Sequence, residues 1–154
     1  MFQFEYQTRV RYAETDQMGY VYYGNYAAFY EIARTEMLRS TGISYRELEE
    51  MGVMLPVMEM KCKYIKPARY DDLITIKTTI RKKPAVRIVF EYELFNEKEE
   101  LLNTGETTLV FVDISKNKPT MPPAFFLKKW RNTLNKHVQY SSILIEIKTL
   151  QSSY

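Results

Sequence analysis

The sequence predicts an α+β protein in which an antiparallel five-stranded sheet is wrapped around one long central helix. Three observations carry that prediction. Helical spacing of apolar residues recurs over only one long stretch, at Tyr26, Phe29, Tyr30, Ala33 and Met37. Apolar and polar residues alternate, the period of a strand with one buried face, once before that stretch and four times after it. The connections between the later segments are short, which joins neighbours in antiparallel fashion. A sheet curled around the helix then buries both apolar faces.

Each element follows from its residues. Positions 4–12 alternate from Phe4 to Tyr12 and read as the first strand. The helix opens at Asn25 as N-cap and stops at Gly42, with Glu31, Arg34, Thr35 and Arg39 on the solvent side. A short helical piece is expected from Ser44 to Met51, ending at Gly52. Met58, Met60, Cys62 and Tyr64 form the apolar side of the next strand, which makes Cys62 a small core residue. Ile74, Ile76 and Ile80 mark another, and Val86 to Leu94 a third. The last runs from Leu101 to Asp113. Beyond Pro119, Pro122 and Pro123 a short C-terminal helix is expected over 124–136, carrying Leu127, Trp130 and Leu134 on one face. Ile143, Ile145 and Ile147 mark a candidate extra strand within Ser141–Tyr154. Residues 1–123 are expected to form one domain, with 124–154 a C-terminal extension and tail packed on it.

Composition narrows the function. A chain of 154 residues with 45% hydrophobic and 27% charged residues is long enough for a real core and too apolar for disorder. A net charge of +3 is small for a nucleic-acid binder. The 13 tyrosines do not alternate with a basic stripe, so base stacking is not expected. The single cysteine cannot close an internal disulfide. Met1–Glu5 has neither the basic start nor the apolar run of a signal peptide, and no apolar stretch approaches the roughly 20 residues that span a bilayer. A cytoplasmic protein without a membrane span is expected.

The chemistry concentrates in 11–36. Glu14 and Asp16 sit in a loop that runs into Gly19. Tyr20, Tyr22 and Tyr23 follow, and Gly24-Asn25 opens the helix. A carboxylate beside the exposed N–H groups of a helix start can attack a carbonyl and hold the resulting oxyanion. The backbone N–H of Tyr23 or Gly24 is the candidate donor. Taken alone, a loop Asp before Gly is usually a turn residue; the surrounding motif singles out Asp16. Glu14 reads as a solvated or structural carboxylate, and Tyr23 as pocket lining or a core aromatic.

That motif carries a resemblance. Thr15-Asp16-x-x-Gly19-x-Val21-Tyr22-Tyr23-x-Asn25-Tyr26 is followed by Phe29-Tyr30-Glu31 and Ala33-Arg34-Thr35-Glu36. Tyr64 and Pro67-Ala68-x-Tyr70-Asp71-Asp72 come next. Over about residues 4–123 the chain resembles the hot-dog fold acyl-CoA thioesterases, in the 4-hydroxybenzoyl-CoA and Tol-Pal-associated subfamilies. The resemblance implies a hot-dog fold and an acyl-CoA thioester hydrolase, with Asp16 as nucleophile or general base. Many relatives have His where this chain has Tyr23, so Asp16 carries more of the work. The resemblance also implies a homodimer or homotetramer with the site between subunits, and CoA held by basic surface residues.

CoA carries a 3′-phosphate and a diphosphate, which call for cations. The candidates are Arg81, Lys82, Lys83 and Arg87 at one hairpin, and Lys118. Such charge runs are also ordinary solvated strand ends. Asn25 and Tyr26 complete the substrate-binding set, with Asn25 a cap first and a water-positioning group second. No metal is expected and no cofactor, coenzyme A being part of the substrate. One hot-dog branch uses a helix Glu, but Glu31 shares a face with Arg34 and is expected in an ion pair. Hydration or dehydration of an acyl chain needs a His, and His137, the one histidine, lies outside the motif. A non-catalytic acyl-CoA sensor or scaffold of the same fold is the alternative.

Overall fold

The computed structural model describes residues 1–135. The long helix α1 spans Tyr26–Ser40, and its periodic residues Tyr26, Phe29, Tyr30, Ala33 and Met37 are all buried. A 3-10 turn, Tyr23–Asn25, leads into it. The helical path therefore begins before Asn25, which has φ −78° and ψ −15° and makes no cap bond, so the expected N-cap role is corrected. Its side-chain amide donates instead to the Glu14 carbonyl oxygen at 2.9 Å. Gly42 ends α1 as expected: at φ +79° it brings its own N–H to the Arg39 carbonyl at 2.9 Å and the Ile43 N–H to Leu38 at 3.1 Å.

Arg34 departs from the solvent side assigned to it. Helix α2, Tyr45–Glu50, folds back so that the Tyr45 hydroxyl accepts from Arg34 Nε at 3.3 Å, and only 7% of Arg34 stays exposed. Its other end is 3.9 Å from Glu31, the ion pair expected there.

The strands are β1 Phe2–Arg9, β2 Val53–Met54, β3 Val57–Tyr64, β4 Leu73–Ile80, β5 Arg87–Phe95, β6 Leu101–Val110, β7 Val112–Asp113 and β8 Lys118–Pro119. Five form the main antiparallel sheet in the order β1-β4-β5-β6-β3; β2, β7 and β8 form a small second sheet. The run read as one strand from Leu101 to Asp113 splits at Phe111, which turns inward onto Phe126 with ring centroids 5.1 Å apart. Ile74, Ile76, Phe90, Tyr92, Leu94 and Leu109 face α1. Strand β3 differs from its expected buried face. It is an edge, and Met58, Met60 and Tyr64 stay 50%, 45% and 50% exposed. Residues 124–135 are helical (α3) and place Phe126 and Trp130 in the core, Trp130 edge-on to Phe2 at 5.5 Å. The candidate strand in 141–154 and His137 lie outside the described residues.

Between α1 and the sheet runs a polar seam. The Tyr30 hydroxyl donates to Asn103 Oδ1 and lies 3.2 Å from Cys62 Sγ. The Asn103 amide donates to the Lys63 carbonyl at 3.0 Å. Cys62 is thus half-buried with polar neighbours rather than a plain core residue. The Tyr30 ring stacks on Tyr92 at 4.3 Å, and the Tyr92 hydroxyl pairs with Thr107 Oγ1 at 2.7 Å. Gly105 makes this possible: a Cβ there would overlap the Tyr30 phenol.

Gly105→Ala is therefore expected to destabilise the protein by about 3 kcal/mol, read as a lower urea midpoint, because the pinned Tyr30 cannot move aside. Burial pushes the Tyr92 phenol up to about 12 from 10.0 in the free residue. A raised folded value means the unfolded chain loses its proton first, so stability is full below pH 10 and falls as pH rises towards 12. Denaturant titrations at pH 9 and 11 should show this loss, at no more than about 1.4 kcal/mol per pH unit for this group, and Tyr92→Phe should reduce the slope by its share, the other raised phenols keeping the rest.

Candidate active site

The Asp16 loop is built by local hydrogen bonds. Arg11 and Glu14 close on each other, with the Arg11 N–H 2.8 Å and its guanidinium 2.6 Å from the Glu14 carboxylate. Glu14 is thereby the structural, not the solvated, carboxylate of its two readings. Asp16 Oδ1 accepts the Met18 N–H at 2.9 Å, and the Asp16 carbonyl accepts Gly19 N–H at 3.0 Å. Gly19 sits at φ +83°, a left-handed conformation natural to glycine. The Asp16 N–H returns to Tyr20 O at 3.0 Å, which closes the loop on itself.

The loop then feeds the helix start. The N–H groups of Val21, Tyr22 and Asn25 go to Ala68, Glu14 and Tyr22 carbonyls at 2.8, 2.9 and 2.9 Å. Tyr23 and Gly24 occupy the first positions of the 3-10 turn, where no helical carbonyl lies behind the N–H. These two donors sit at the positive end of the helix. A Cβ at Gly24 would come 2.8 Å from the Tyr22 ring, so only glycine lets that ring fold over the turn.

Asp16, Met18, Tyr20, Tyr23, Tyr26 and Tyr64 line one cleft of about 270 Å³, closed on its far side by Ile65, Lys66 and Pro67. Of the residues named from sequence, the structure brings Asp16, Tyr23 and Tyr26 together here, with Gly24 and Asn25 in the adjoining turn. Tyr23 is 64% exposed, which makes it pocket lining and not a core aromatic. Burial holds the Tyr26 phenol above its usual range and pushes that of Tyr64 up to about 12, so both are neutral donors near pH 7.

Arg81, Lys82, Lys83 and Arg87 line a different groove, of about 740 Å³, at the β4–β5 hairpin. Arg87 pairs with Val110 whereas Tyr64 pairs with Asn103, itself opposite Leu94. Arg87 is thus seven residues along β5 from the Tyr64 row, about 23 Å, and on the opposite face of the sheet, since it alternates with the buried Ile88. Lys118 is on the second sheet and lines neither. The cations at the Asp16 cleft are ones the sequence reading missed. Lys66 lines it, bonded to Glu100 at 2.7 Å, and Arg69 stacks 5.9 Å over Tyr20. Both flank Pro67-Ala68 in the quoted motif, which is the signal that could have found them. Among the described residues no cluster of His, Cys, Asp or Glu is placed to hold a metal, and no helix is long and apolar enough to cross a membrane.

Comparison with known proteins gives one consistent family. A sequence profile of the thioesterase-like superfamily matches residues 10–130. The acyl-CoA thioester hydrolase YbgC of Escherichia coli O157:H7 is 38% identical over 128 residues, covering 83% of this chain and 96% of that one. A DHNA-CoA thioesterase from Staphylococcus aureus superposes with a TM-score of 0.79 at 34% identity, over 92% of this chain and 95% of that one. A 1,4-dihydroxy-2-naphthoyl-CoA thioesterase from Synechocystis gives 0.77 at 25% identity, over 84% and 93%. With its five antiparallel strands, its long helix and these matches, the chain belongs to the thioesterase-like superfamily and has the hot-dog fold that its motif indicated.

Proposed function

We propose that this protein is an acyl-CoA thioesterase, hydrolysing an acyl-CoA thioester to the free acid and coenzyme A with Asp16 as the reacting carboxylate. The observation that carries this reading is that Asp16 and Tyr23, the first residue of the helical path, line one aromatic cleft, with Gly24 next in the same turn. The relatives' names agree with it, all three being CoA thioester hydrolases.

The thioester carbonyl oxygen takes the Gly24 or Tyr23 N–H, and the carbonyl carbon faces Asp16. Asp16 either adds to that carbon or removes the proton from a water that does. In both routes the electron pair moves to the oxygen, the C–S bond then breaks, and CoA leaves as thiolate. By the first route, water cleaves the acyl–Asp16 anhydride and restores the carboxylate. An ordinary thiol titrates near 8.5, so the leaving group needs no strong acid and a His is dispensable. One oxyanion donor contributes about 3 kcal/mol at the transition state. A cleft of about 270 Å³ lined by phenols suits a compact acyl group, a single ring or a short chain, better than a long chain.

A second copy of the chain enters this reading through β3. Strand β3 is an open edge with Val57, Met58, Met60, Tyr64 and Ile65 exposed. Antiparallel pairing of two β3 edges sets the Val57 end of one beside the Tyr64 end of the other. The second copy's β3 then runs along the first copy's Tyr64 and Ile65, at the rim of the Asp16 cleft. The Arg87 side chain, alternating with the buried Ile88, stays on the sheet face away from α1 in either copy.

Thiol release from acetyl-, hexanoyl-, palmitoyl- and benzoyl-CoA tests the activity. Asp16→Asn should fold normally and lose at least about a hundredfold in kcat. Binding without thiol release by the wild type would replace hydrolysis with an acyl-CoA sensor. Light scattering that finds a fully active monomer would sink the shared site.

A further inference from the structure

The mechanism leaves Tyr64 unused, although it stands in the cleft. Its hydroxyl donates to the Tyr23 carbonyl oxygen at 3.1 Å. That carbonyl belongs to the peptide whose other end is the Gly24 N–H. In a trans peptide the C=O and N–H point in opposite directions. A donor on the Tyr23 oxygen draws electron density towards it and leaves the Gly24 N–H more positive, the cooperative strengthening found in chains of hydrogen bonds. We propose that Tyr64 is a positioning residue whose hydroxyl fixes and polarises the Tyr23–Gly24 peptide, so that the Gly24 N–H is presented to the thioester oxygen. The proposal rests on the thioesterase reading above.

The geometry around Tyr64 supports a fixed role. Its ring is held edge-on between Tyr23 at 6.3 Å and Tyr26 at 5.3 Å. The strand end behind it is held by Asn103, which pairs with Tyr64 in register and donates to the neighbouring Lys63 carbonyl. The two residues after it, Ile65 and Lys66, both bond the Leu102 carbonyl, at 2.9 and 3.0 Å. From the other side Glu14 accepts from the Tyr22 N–H and the Asn25 side chain, each at 2.9 Å. The oxyanion peptide is thus clamped between the Asp16 loop and the end of β3.

Tyr64→Phe removes the hydroxyl and keeps the ring, and it separates positioning from packing. Expected is a fall of about three- to tenfold in kcat with benzoyl-CoA at unchanged KM, whereas Tyr64→Leu should also raise KM. A second readout is the infrared carbonyl stretch of benzoyl-CoA bound to Asp16→Asn. Binding should lower that frequency, and adding Tyr64→Phe should return part of the shift. Wild-type kcat together with an unchanged carbonyl frequency in Tyr64→Phe overturns the proposal and leaves the thioesterase reading standing. A wild type that releases no thiol from any acyl-CoA overturns both.

Discussion

The hydrogen bond from the buried Tyr30 hydroxyl to Asn103 sets where everything else in this protein can sit. A phenol taken out of water must keep a partner, because a buried, unsatisfied hydroxyl costs about 1–3 kcal/mol. Asn103 on β6 supplies that partner, and Gly105 two residues on clears room for the ring. Helix α1 is thereby locked in depth by the glycine and in register by the amide. Tyr26 lies one turn nearer the helix start on the same face, so its meeting with Tyr64 follows from the same lock. The height of the helix N-terminus over the end of β3, on which the cleft depends, is decided in the core.

The reacting groups need little from the rest of the molecule once that height is set. The Asp16 loop is stabilised chiefly by its own backbone and by Glu14, with one bond reaching further, from the Val21 N–H to the Ala68 carbonyl. A loop bonded mainly to itself can keep its geometry while the lining of the cleft varies. The proposed carboxylate and oxyanion donors come from one continuous stretch, Asp16 to Gly24. Much of the remaining cleft lining comes from elsewhere, chiefly Tyr64, Ile65 and Pro67. The proposed chemistry and the wall opposite it are therefore placed on different segments of the fold.

This division explains what could be read from the sequence. The helix was legible because Tyr26, Phe29, Tyr30, Ala33 and Met37 obey one period and pack on one surface. The strands were legible for the same reason, and Gly42 was a stop whose φ shows why. Errors arose wherever a residue's environment is supplied by distant chain. Arg34 has the spacing of a solvent residue, and only the fold-back of α2 buries it. Asn25 has the chemistry of a cap, yet the 3-10 turn ahead of it moves the helical path upstream and frees its amide for Glu14. Met58 and Met60 alternate as a buried face does, but alternation does not say whether the strand is an edge. At the candidate site, the closeness of Asp16, Tyr23 and Gly24 was visible because they are neighbours in the chain. Tyr64 was visible only as a motif letter, since its bond to Tyr23 joins residues 41 apart.

The edge position of β3 connects these points. A sheet edge with a row of exposed apolar side chains invites pairing, and folds that resist it blunt such edges with charge or cover. Here the outward side of β3 carries Glu59, Lys61 and Lys63, while the inward side leaves Met60 and Tyr64 half exposed. Charges on the outer side keep the sheet's back in water; they do not shield the inner row. The same residue, Tyr64, therefore stands at the exposed edge and in the cleft, bonded to the peptide that carries the proposed oxyanion donor. Whatever pairs with that edge limits how far the end of β3 can move, and through Tyr64 it limits the Tyr23–Gly24 peptide as well. Assembly and oxyanion geometry are in this way two readings of one strand's position.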